Sequence, residues 1–283
     1  MKIAYLLLVH EYPKNVKYLL KQLLCDEDAE IFVHVDRSAC LNEFYYENRR
    51  IHFIRNRERV TWGGYAMVKA TLLLIQYANA YHPHYYCLLS GRDFLLQPAE
   101  IWKQKVSESY PKTYMDGDTV VKRWTKKGLD RVHYHFFYIF KNKKVSYYQN
   151  RIVRKVGRML HYERKMPYAM TPYCGSQWWT ISDRHMNYIL SFLNTHPEFE
   201  RFYRTVGIPD EQFFHTILLN GECREEVINL SQTYLIMIDG FVKTFSERNY
   251  QELLGKDYVF ARKIQEDNTE LQKRLEERNY FNG

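Results

Sequence analysis

The sequence lacks an apolar run long enough to cross a lipid bilayer. Its first apolar stretch, Ile3–Val9, has seven residues, whereas a membrane-spanning helix needs about 20. His10, Glu11 and Pro13 follow this stretch, in place of the small residues of a signal-peptide cleavage site. We therefore expect neither a membrane span nor a secretory signal.

Cysteine is also scarce. The 283 residues contain five cysteines, which is an odd number, and no two of them form a CxxC pair. This spacing argues against a disulfide framework and against a zinc site built on cysteine pairs. Together with the missing signal, it predicts a protein of the reducing cytoplasm.

Positive charge is present but local. The net charge is +8, and the segment from Lys122 to Lys165 holds 14 basic residues against two acids, so it carries +12 and the remainder −4. Part of this segment reads as an amphipathic helix, with apolar Ile152, Val153, Val156, Met159 and Leu160 opposed by Arg151, Arg154, Lys155 and Arg158. Such a helix could lie on an anionic membrane surface, grip an acidic acceptor molecule, or pack its apolar stripe inward.

The first third of the chain alternates strand and helix patterns. Short apolar runs at 3–9, 31–35, 51–54 and 85–89 predict strands, and apolar residues at helical spacing over 16–24 and 66–77 predict helices. The order β-α-β-β-α-β indicates an α/β fold with a central, mainly parallel sheet flanked by helices. Ligands of such sheets bind beyond the carboxyl ends of the strands, where this chain has His10, Asp36 and Asp93.

The second half of the chain has fewer regular patterns. Residues 175–181 predict one strand, 183–194 a helix, and 269–277 a final helix. Pro209 suits the first position of a helix, and Asp210 and Glu211 suit the positive end of its dipole.

Six short motifs occur in a fixed order along the chain. They are Val33-His34-Val35-Asp36, Val60-Thr61-Trp62-Gly63-Gly64, Leu89-Ser90-Gly91-Arg92-Asp93-Phe94, Gly175-Ser176-Gln177-Trp178-Trp179, Pro209-Asp210-Glu211 and Phe260-Ala261-Arg262-Lys263. Together they resemble the core-2/I-branching glycosyltransferase family, which includes the peptide xylosyltransferases. The resemblance covers essentially the whole chain and implies a GT-A-like fold, an inverting mechanism, and donor binding without a metal or other cofactor.

The resemblance also implies roles for single residues. Glu211 matches the family's catalytic base, while Arg262 and Lys263 match the basic residues that neutralise the leaving diphosphate. A second phosphate ligand, expected near Gly240, is missing, and Lys243 or Arg248 could replace it. By themselves, Glu211 could be a helix-terminal acid and the Arg-Lys pair solvated surface.

Further residues complete the expected site. We expect donor contacts from His10, Asp36, Trp62, Gly63 and Asp93, and acceptor contacts from Ser176, Gln177 and Trp178. The expected organisation is a single glycosyltransferase domain over 1–283, with a nucleotide-binding half (1–115), a basic insertion (116–170) and an acceptor and catalytic half (171–283). The substrates would be a UDP-sugar, with N-acetylglucosamine or xylose as the sugar, and a glycan or lipid-linked acceptor.

Two alternatives stay open at this level. Asp116-Gly117-Asp118 could hold a metal ion in a metal-dependent enzyme of the same fold, although a turn is the simpler prediction for it. The basic segment, with its aromatic residues Tyr134, His135, Phe136, Phe137, Tyr138 and Phe140, could instead belong to a non-catalytic protein that binds nucleic acid or polysaccharide. The enzyme hypothesis predicts no nucleic-acid partner and a peripheral contact with the inner face of the membrane.

Overall fold

A computed structural model describes residues 1–138, 143–266 and 268–281 of the chain. Phe140 lies outside these residues. The strands are β1 (Ile3–Val9), β2 (Glu30–Val35), β3 (Ile51–Phe53), β4 (Tyr85–Ser90), β5 (Asp93–Leu95), β6 (Thr113–Tyr114), β7 (Gly117–Thr119), β8 (Tyr173–Gly175), β9 (Thr180–Ser182), β10 (Val227–Ile228), β11 (Thr233–Tyr234), β12 (Met237–Ile238), β13 (Phe241–Val242) and β14 (Phe260–Arg262).

The helices vary widely in length. They are α1 (Pro13–Leu23), α2 (Leu41–Phe44), α3 (Ala66–Asn79), α4 (Ala99–Glu108), α5 (Val120–Gly128), α6 (Asp130–His133), α7 (Lys143–Met159), α8 (Asp183–Thr195), α9 (Pro197–Tyr203), α10 (Phe213–Asn220), α11 (Tyr250–Leu253) and α12 (Thr269–Phe281). Short 3₁₀ turns cover Pro167–Ala169, Pro209–Glu211, Glu222–Glu226 and Glu247–Asn249. No helix in the described part of the chain is long and apolar enough to cross a membrane.

The central sheet has seven strands in the order β10-β6-β9-β4-β1-β2-β3. Strand β9 runs antiparallel to its neighbours β4 and β6, while the other pairings are parallel. The side chains of β1 alternate between the two faces. Ala4, Leu6 and Leu8 join a core with α3, α8 and α10, whereas Ile3, Tyr5 and Leu7 join a core with α1 and α4. Helices therefore cover both faces of the sheet, and the predicted α/β class with a mainly parallel sheet is confirmed.

A smaller sheet, in the order β11-β14-β5, lies outside the central one. Strand β14 is parallel to β11 and antiparallel to β5. Its apolar side packs with α12 in a third core that includes Phe94, Phe245 and Leu271. This sheet brings the carboxyl-terminal motif that ends in Lys263 next to the segment that follows β4.

Two local predictions are wrong. The single strand expected over 175–181 is divided into β8 and β9, and Ser176 to Trp179 lie between them. The turn expected at Asp116-Gly117-Asp118 is the start of β7, which pairs with β8. In both cases the partner strand, which is distant in the sequence, decides the local conformation.

Candidate active site

The carboxyl ends of β1, β2 and β4 meet at one edge of the central sheet. The backbone N–H of Asp36 donates to the carbonyl of Val9 at 2.8 Å, and that of Gly91 donates to Leu8 at 3.0 Å. His10 follows β1 at the same edge, with its Nε2 3.6 Å from a carboxylate oxygen of Glu11. The polar residues expected at the strand ends are therefore brought together.

Asp36 supports the loop of residues 58–64, here called the Trp62 loop. One oxygen of its carboxylate accepts bonds from the Ser38 N–H (2.7 Å) and Oγ (2.6 Å), and the other accepts from the Val60 N–H at 2.8 Å. Burial opposes ionisation, but these hydrogen bonds prevail and lower the pKa of Asp36. Asp36 is thus an ionised, nearly buried anchor of the loop, while Trp62 at its tip is exposed.

Gly63 occupies a position that suits only glycine. Its φ is +75°, and a Cβ placed there would lie 2.9 Å from the hydroxyl oxygen of Tyr138. The Gly63 carbonyl accepts a bond of 3.0 Å from the backbone N–H of Ile208. The residue after Ile208 begins the turn Pro209–Glu211, here called the Glu211 turn, so the two segments are joined directly.

Glu211 lies within electrostatic range of two arginines. Burial raises the pKa of its carboxyl group, and the positive charges of Arg131 and Arg123 oppose this rise. The neighbouring Asp210 is more strongly affected, because burial and the charge of Glu211 raise its pKa to about 7. Sequence analysis placed both arginines in a general basic patch, since nothing in their spacing points to a glutamate more than 70 residues away.

The two carboxylates of the Asp116-Gly117-Asp118 motif bind protein groups. Both carboxylate oxygens of Asp116 bind the guanidinium of Arg123, at 2.9 and 2.8 Å. Asp118 accepts from the Thr119 N–H at 2.7 Å and lies 3.5 Å from the ammonium of Lys122. In the described ranges, no group of three or more His, Cys, Asp and Glu side chains could hold a metal ion.

The expected acceptor residues Ser176, Gln177 and Trp178 follow β8, the strand that pairs with the Asp116-Gly117-Asp118 motif. The backbone N–H of Ser176 donates to the Asp116 carbonyl at 3.1 Å, and the Ser176 hydroxyl accepts from the Trp178 N–H at 3.3 Å. Nε2 of Gln177 is buried and has no hydrogen-bond partner within the described part of the chain. A Cβ on Gly175 would lie 1.8 Å from the Asp116 carbonyl oxygen, so only glycine lets β8 approach so closely. The segment therefore follows directly from Asp116 through the backbone bond of Ser176, and it holds an unsatisfied amide at Gln177.

His215 lies beneath these strands and was not singled out from the sequence. Its Nε2–H donates to the Asp116 carbonyl oxygen at 3.2 Å. Cβ atoms on Gly117 and Gly175 would come within 2.8 and 2.6 Å of its ring. Burial lowers the pKa of His215 to about 4, so the ring is neutral at physiological pH.

Arg262 lies between Asp93 and Trp178. The register of β5 and β14 sets Arg262 opposite Asp93, with 3.3 Å between its Nε and the carboxylate. The guanidinium also stacks on the Trp178 ring, 4.0 Å from the ring centroid. Asp93 is 0% exposed and accepts from the Ser90 N–H at 2.7 Å. The sequence predicted a donor contact for Asp93, but the structure places its carboxylate beneath the surface, where it positions Arg262.

The segment around Lys263 forms the other side of this region. Its backbone N–H donates to the Lys243 carbonyl at 3.2 Å, and its carbonyl accepts from the Phe245 N–H at 2.7 Å. The positive charge of Lys263 acts, with that of Arg262, against the burial that raises the pKa of Asp93. The ammonium of Lys263 therefore lies within electrostatic reach of that carboxylate.

The two candidates for the missing phosphate ligand differ in their surroundings. The Lys243 ammonium binds both carboxylate oxygens of Glu252, at 2.8 and 2.6 Å. Arg248 borders a cleft of about 320 Å³ together with Ser246, Glu247, Gln265 and Asn268. The charge of Lys243 is therefore already balanced by Glu252, whereas Arg248 borders an open cleft.

Comparisons with known proteins were made for the sequence and for the fold. A family model described as Core-2/I-Branching enzyme matches residues 3–237. Xylosyltransferase 2 of Rattus norvegicus is 23% identical over 248 residues, and a xylosyltransferase of Ciona intestinalis is 23% identical over 240 residues. Each match covers 81% of this chain and 26% of the relative, so the chain spans about a quarter of the length of these curated relatives.

Two solved structures are similar in fold. The galactosyltransferase LgtC, in complex with donor and acceptor sugar analogs, aligns with a TM-score of 0.40 and 10% identity over 99% of this chain and 96% of that chain. A putative glucose-1-phosphate thymidylyltransferase from Bacillus anthracis, in complex with sucrose, aligns with a TM-score of 0.34 and 7% identity over 66% of this chain and 74% of that chain.

Proposed function

The chain belongs to the Core-2/I-Branching enzyme family, and we propose that it moves a sugar from a UDP-sugar to an acceptor hydroxyl, with inversion and without a metal ion. Family membership confirms the prediction of a glycosyltransferase and disfavours a non-catalytic binding protein. The observation that carries the finer proposal is the position of Glu211. It is a partly buried carboxylate within electrostatic range of Arg131 and Arg123, on a turn bonded to the Trp62 loop through Ile208 and Gly63.

Glu211 acts as the base. As the acceptor oxygen forms its bond to the anomeric carbon, the acceptor proton passes to the Glu211 carboxylate. On the opposite face, the bond from the anomeric carbon to the diphosphate oxygen breaks, and its electron pair leaves with UDP. Burial raises the pKa of Glu211 and so increases its proton affinity, while the positive charges of Arg131 and Arg123 oppose this rise.

Arg262 and Lys263 stabilise the leaving diphosphate. Preorganised positive charge at such a position is worth about 3 kcal/mol of barrier. Arg262 is held in place by Asp93 on one side and Trp178 on the other. No metal ion is needed in this scheme, and Asp116, which would have been a metal ligand, is bound to Arg123 in bidentate geometry.

The remaining expected residues are divided between donor and acceptor. His10, Trp62 and Gly63 border the donor side, where Asp36 supports the loop. We assign Ser176 and Gln177 to the acceptor side, where the amide nitrogen of Gln177 is buried and has no hydrogen-bond partner among the described residues. Trp178 is buried, and the Arg262 guanidinium lies over its ring.

The test is UDP release from a panel of UDP-sugars in the presence of EDTA. The panel includes UDP-N-acetylglucosamine and also UDP-xylose, since the relatives in rat and Ciona are named xylosyltransferases. We expect one donor to react in EDTA and its product to have a β-anomeric proton signal by NMR. Glu211→Gln should lower turnover by about a hundredfold or more, and Lys263→Ala should lower it by a similar factor.

The control for these variants is Glu225→Gln, which removes an exposed carboxylate from the turn Glu222–Glu226. Its turnover should equal that of the unmodified protein. Activity that requires added Mn²⁺, or a Glu211→Gln variant as active as the control, would overturn the proposed mechanism.

A further inference from the structure

Among the described residues, one face of helix α7 packs against the rest of the protein. Asn150 is buried on that face, and its side-chain amide accepts from the Phe137 N–H at 2.7 Å and donates to the Phe137 carbonyl at 3.0 Å. Gly157 lies on the same face, where a Cβ would come within 2.8 Å of the Tyr134 ring. These contacts set the rotation of the helix about its axis.

That rotation turns the apolar stripe of α7 outward. Tyr148, Ile152, Val156 and Met159 recur at intervals of three and four residues, so they share one side of the helix. Ile152 is 64% exposed and Met159 is 70% exposed, and the other two are exposed as well. Sequence analysis left open whether the stripe of Ile152, Val153, Val156, Met159 and Leu160 packs inward. In the structure Val153 is partly buried, while the other four are exposed and face away from the core.

Positive charge lies next to the stripe. Arg151 and Lys155 are exposed and lie one turn apart on the adjacent side of the helix. The segment from Lys122 to Lys165, which contains α7, carries a charge of +12, while the rest of the chain carries −4. We define the exposed residues Tyr148, Arg151, Ile152, Lys155, Val156 and Met159 as the α7 face.

We propose that the α7 face docks the protein on an anionic lipid surface, with the helix parallel to the membrane plane. Aliphatic residues beside lysine and arginine match the acyl boundary and the phosphates of such a surface. A nucleic acid would satisfy Arg151 and Lys155 but not the aliphatic stripe. A second copy of the chain would bring an equally basic face against this one, and like charges would oppose the contact.

The inference is independent of which sugar is transferred, because it rests on a surface outside the Glu211 region. It gives the enzyme a position at a membrane, where lipid-linked saccharides are available as acceptors. Cytoplasmic membrane leaflets carry anionic lipids of the kind that this face requires.

The experiment is co-sedimentation with vesicles. The intact protein should sediment with equimolar phosphatidylglycerol and phosphatidylcholine at low salt, less at high salt, and not with phosphatidylcholine alone. The double variants Arg151→Glu with Lys155→Glu, and Ile152→Asn with Met159→Asn, should each bind about tenfold less to the anionic vesicles. Every substituted side chain is exposed, so thermal unfolding should stay unchanged, and each double variant tests the proposal by itself.

Matched controls distinguish an effect of the α7 face from a general effect of net charge or of exposed aliphatic residues. Lys21→Glu with Lys112→Glu makes the same change in net charge at other exposed positions, and Ile101→Asn removes an exposed aliphatic residue from α4. Both controls should bind like the intact protein. The proposal is overturned if the intact protein does not sediment with anionic vesicles at low salt, or if the controls lose as much binding as the double variants. A dimer in gel filtration that Ile152→Asn with Met159→Asn disperses, without vesicle binding, would show that a second copy covers this face.

Discussion

The backbone N–H of Ile208 donates a hydrogen bond of 3.0 Å to the carbonyl oxygen of Gly63. This bond connects the Trp62 loop to the Glu211 turn, although the two segments are about 150 residues apart in the sequence. Asp36 holds the same loop through the Val60 N–H. The Trp62 loop and the Glu211 turn, to which the proposed mechanism assigns the donor side and the base, are therefore positioned as one unit.

Gly63→Ala should disturb this unit. At a φ of +75° an alanine costs about 1 kcal/mol in backbone strain, and its Cβ, 2.9 Å from the Tyr138 hydroxyl, should add about 1 to 3 kcal/mol. Gly240→Ala is the control, because Gly240 has a φ of +80° with nothing within 4 Å of the added Cβ. Urea unfolding and the KM for the UDP-sugar measure both variants. Equal effects of the two substitutions would show that the contact with Tyr138 is unimportant.

Asp93→Asn should be strongly destabilising. The substitution keeps the shape of the side chain but leaves the buried Arg262 guanidinium without its counter-charge. Breaking a buried ion pair in this way costs about 3 to 5 kcal/mol of unfolding free energy. The comparison is Glu270→Gln, which breaks the exposed pair with Lys273 and should cost less than about 1 kcal/mol. If urea unfolding gives the same loss for both, Asp93 does not carry the role assigned to it.

Asp210 should make the stability of the protein depend on pH. Its pKa is raised from an ordinary value of 3.8 to about 7, so the folded state binds the extra proton between these pH values. The stability that this proton provides is present below pH 3.8 and is lost as the pH rises through 7.

Asp210→Asn should remove that dependence. Relative to the unmodified protein, the variant should gain on the order of 1 to 3 kcal/mol in unfolding free energy between pH 4 and pH 8. Asp257→Asn, on the surface, is the matched control. A difference between Asp210→Asn and the unmodified protein that stays constant over this range contradicts the prediction.

Asp118→Asn should leave turnover in EDTA within about twofold of the unmodified protein, because a metal-free mechanism gives Asp118 no reacting partner. Asp116→Asn should be worse, since it removes half of the bidentate pair that holds Arg123. UDP release with EDTA and with added Mn²⁺ measures both variants. A loss in Asp118→Asn that Mn²⁺ restores would support the metal-dependent alternative.

Much of the fold follows from local patterns in the sequence. The apolar run Ile3–Val9 and the helical spacing of Val16, Leu19 and Leu20 are periodic over a few residues, so strand β1 and helix α1 were predicted close to their observed bounds. The polar residues at the ends of parallel strands were also predictable, because the topology of an α/β sheet places those ends at one edge.

The candidate base and the candidate leaving-group residues were predicted only from the family resemblance. Glu211 was named from its motif, but Arg123 and Arg131 were not, because an electrostatic contact across more than 70 residues leaves no local pattern. The same limit explains the division of residues 175–181. The apolar pair Trp178 and Trp179 looks like a continuous strand, and only the pairing of β8 with β7 and of β9 with β4 separates it.

Helix α7 shows most clearly what the sequence determines and what only the tertiary structure determines. Its amphipathic character is a property of the sequence alone, since a helix of 3.6 residues per turn collects Ile152, Val156 and Met159 on one side. Tertiary contacts determine which side of the helix faces the core, because the Asn150 amide packs against Phe137 and the small Gly157 packs against Tyr134. A buried amide must keep its hydrogen bonds, and that requirement holds the apolar stripe toward the outside.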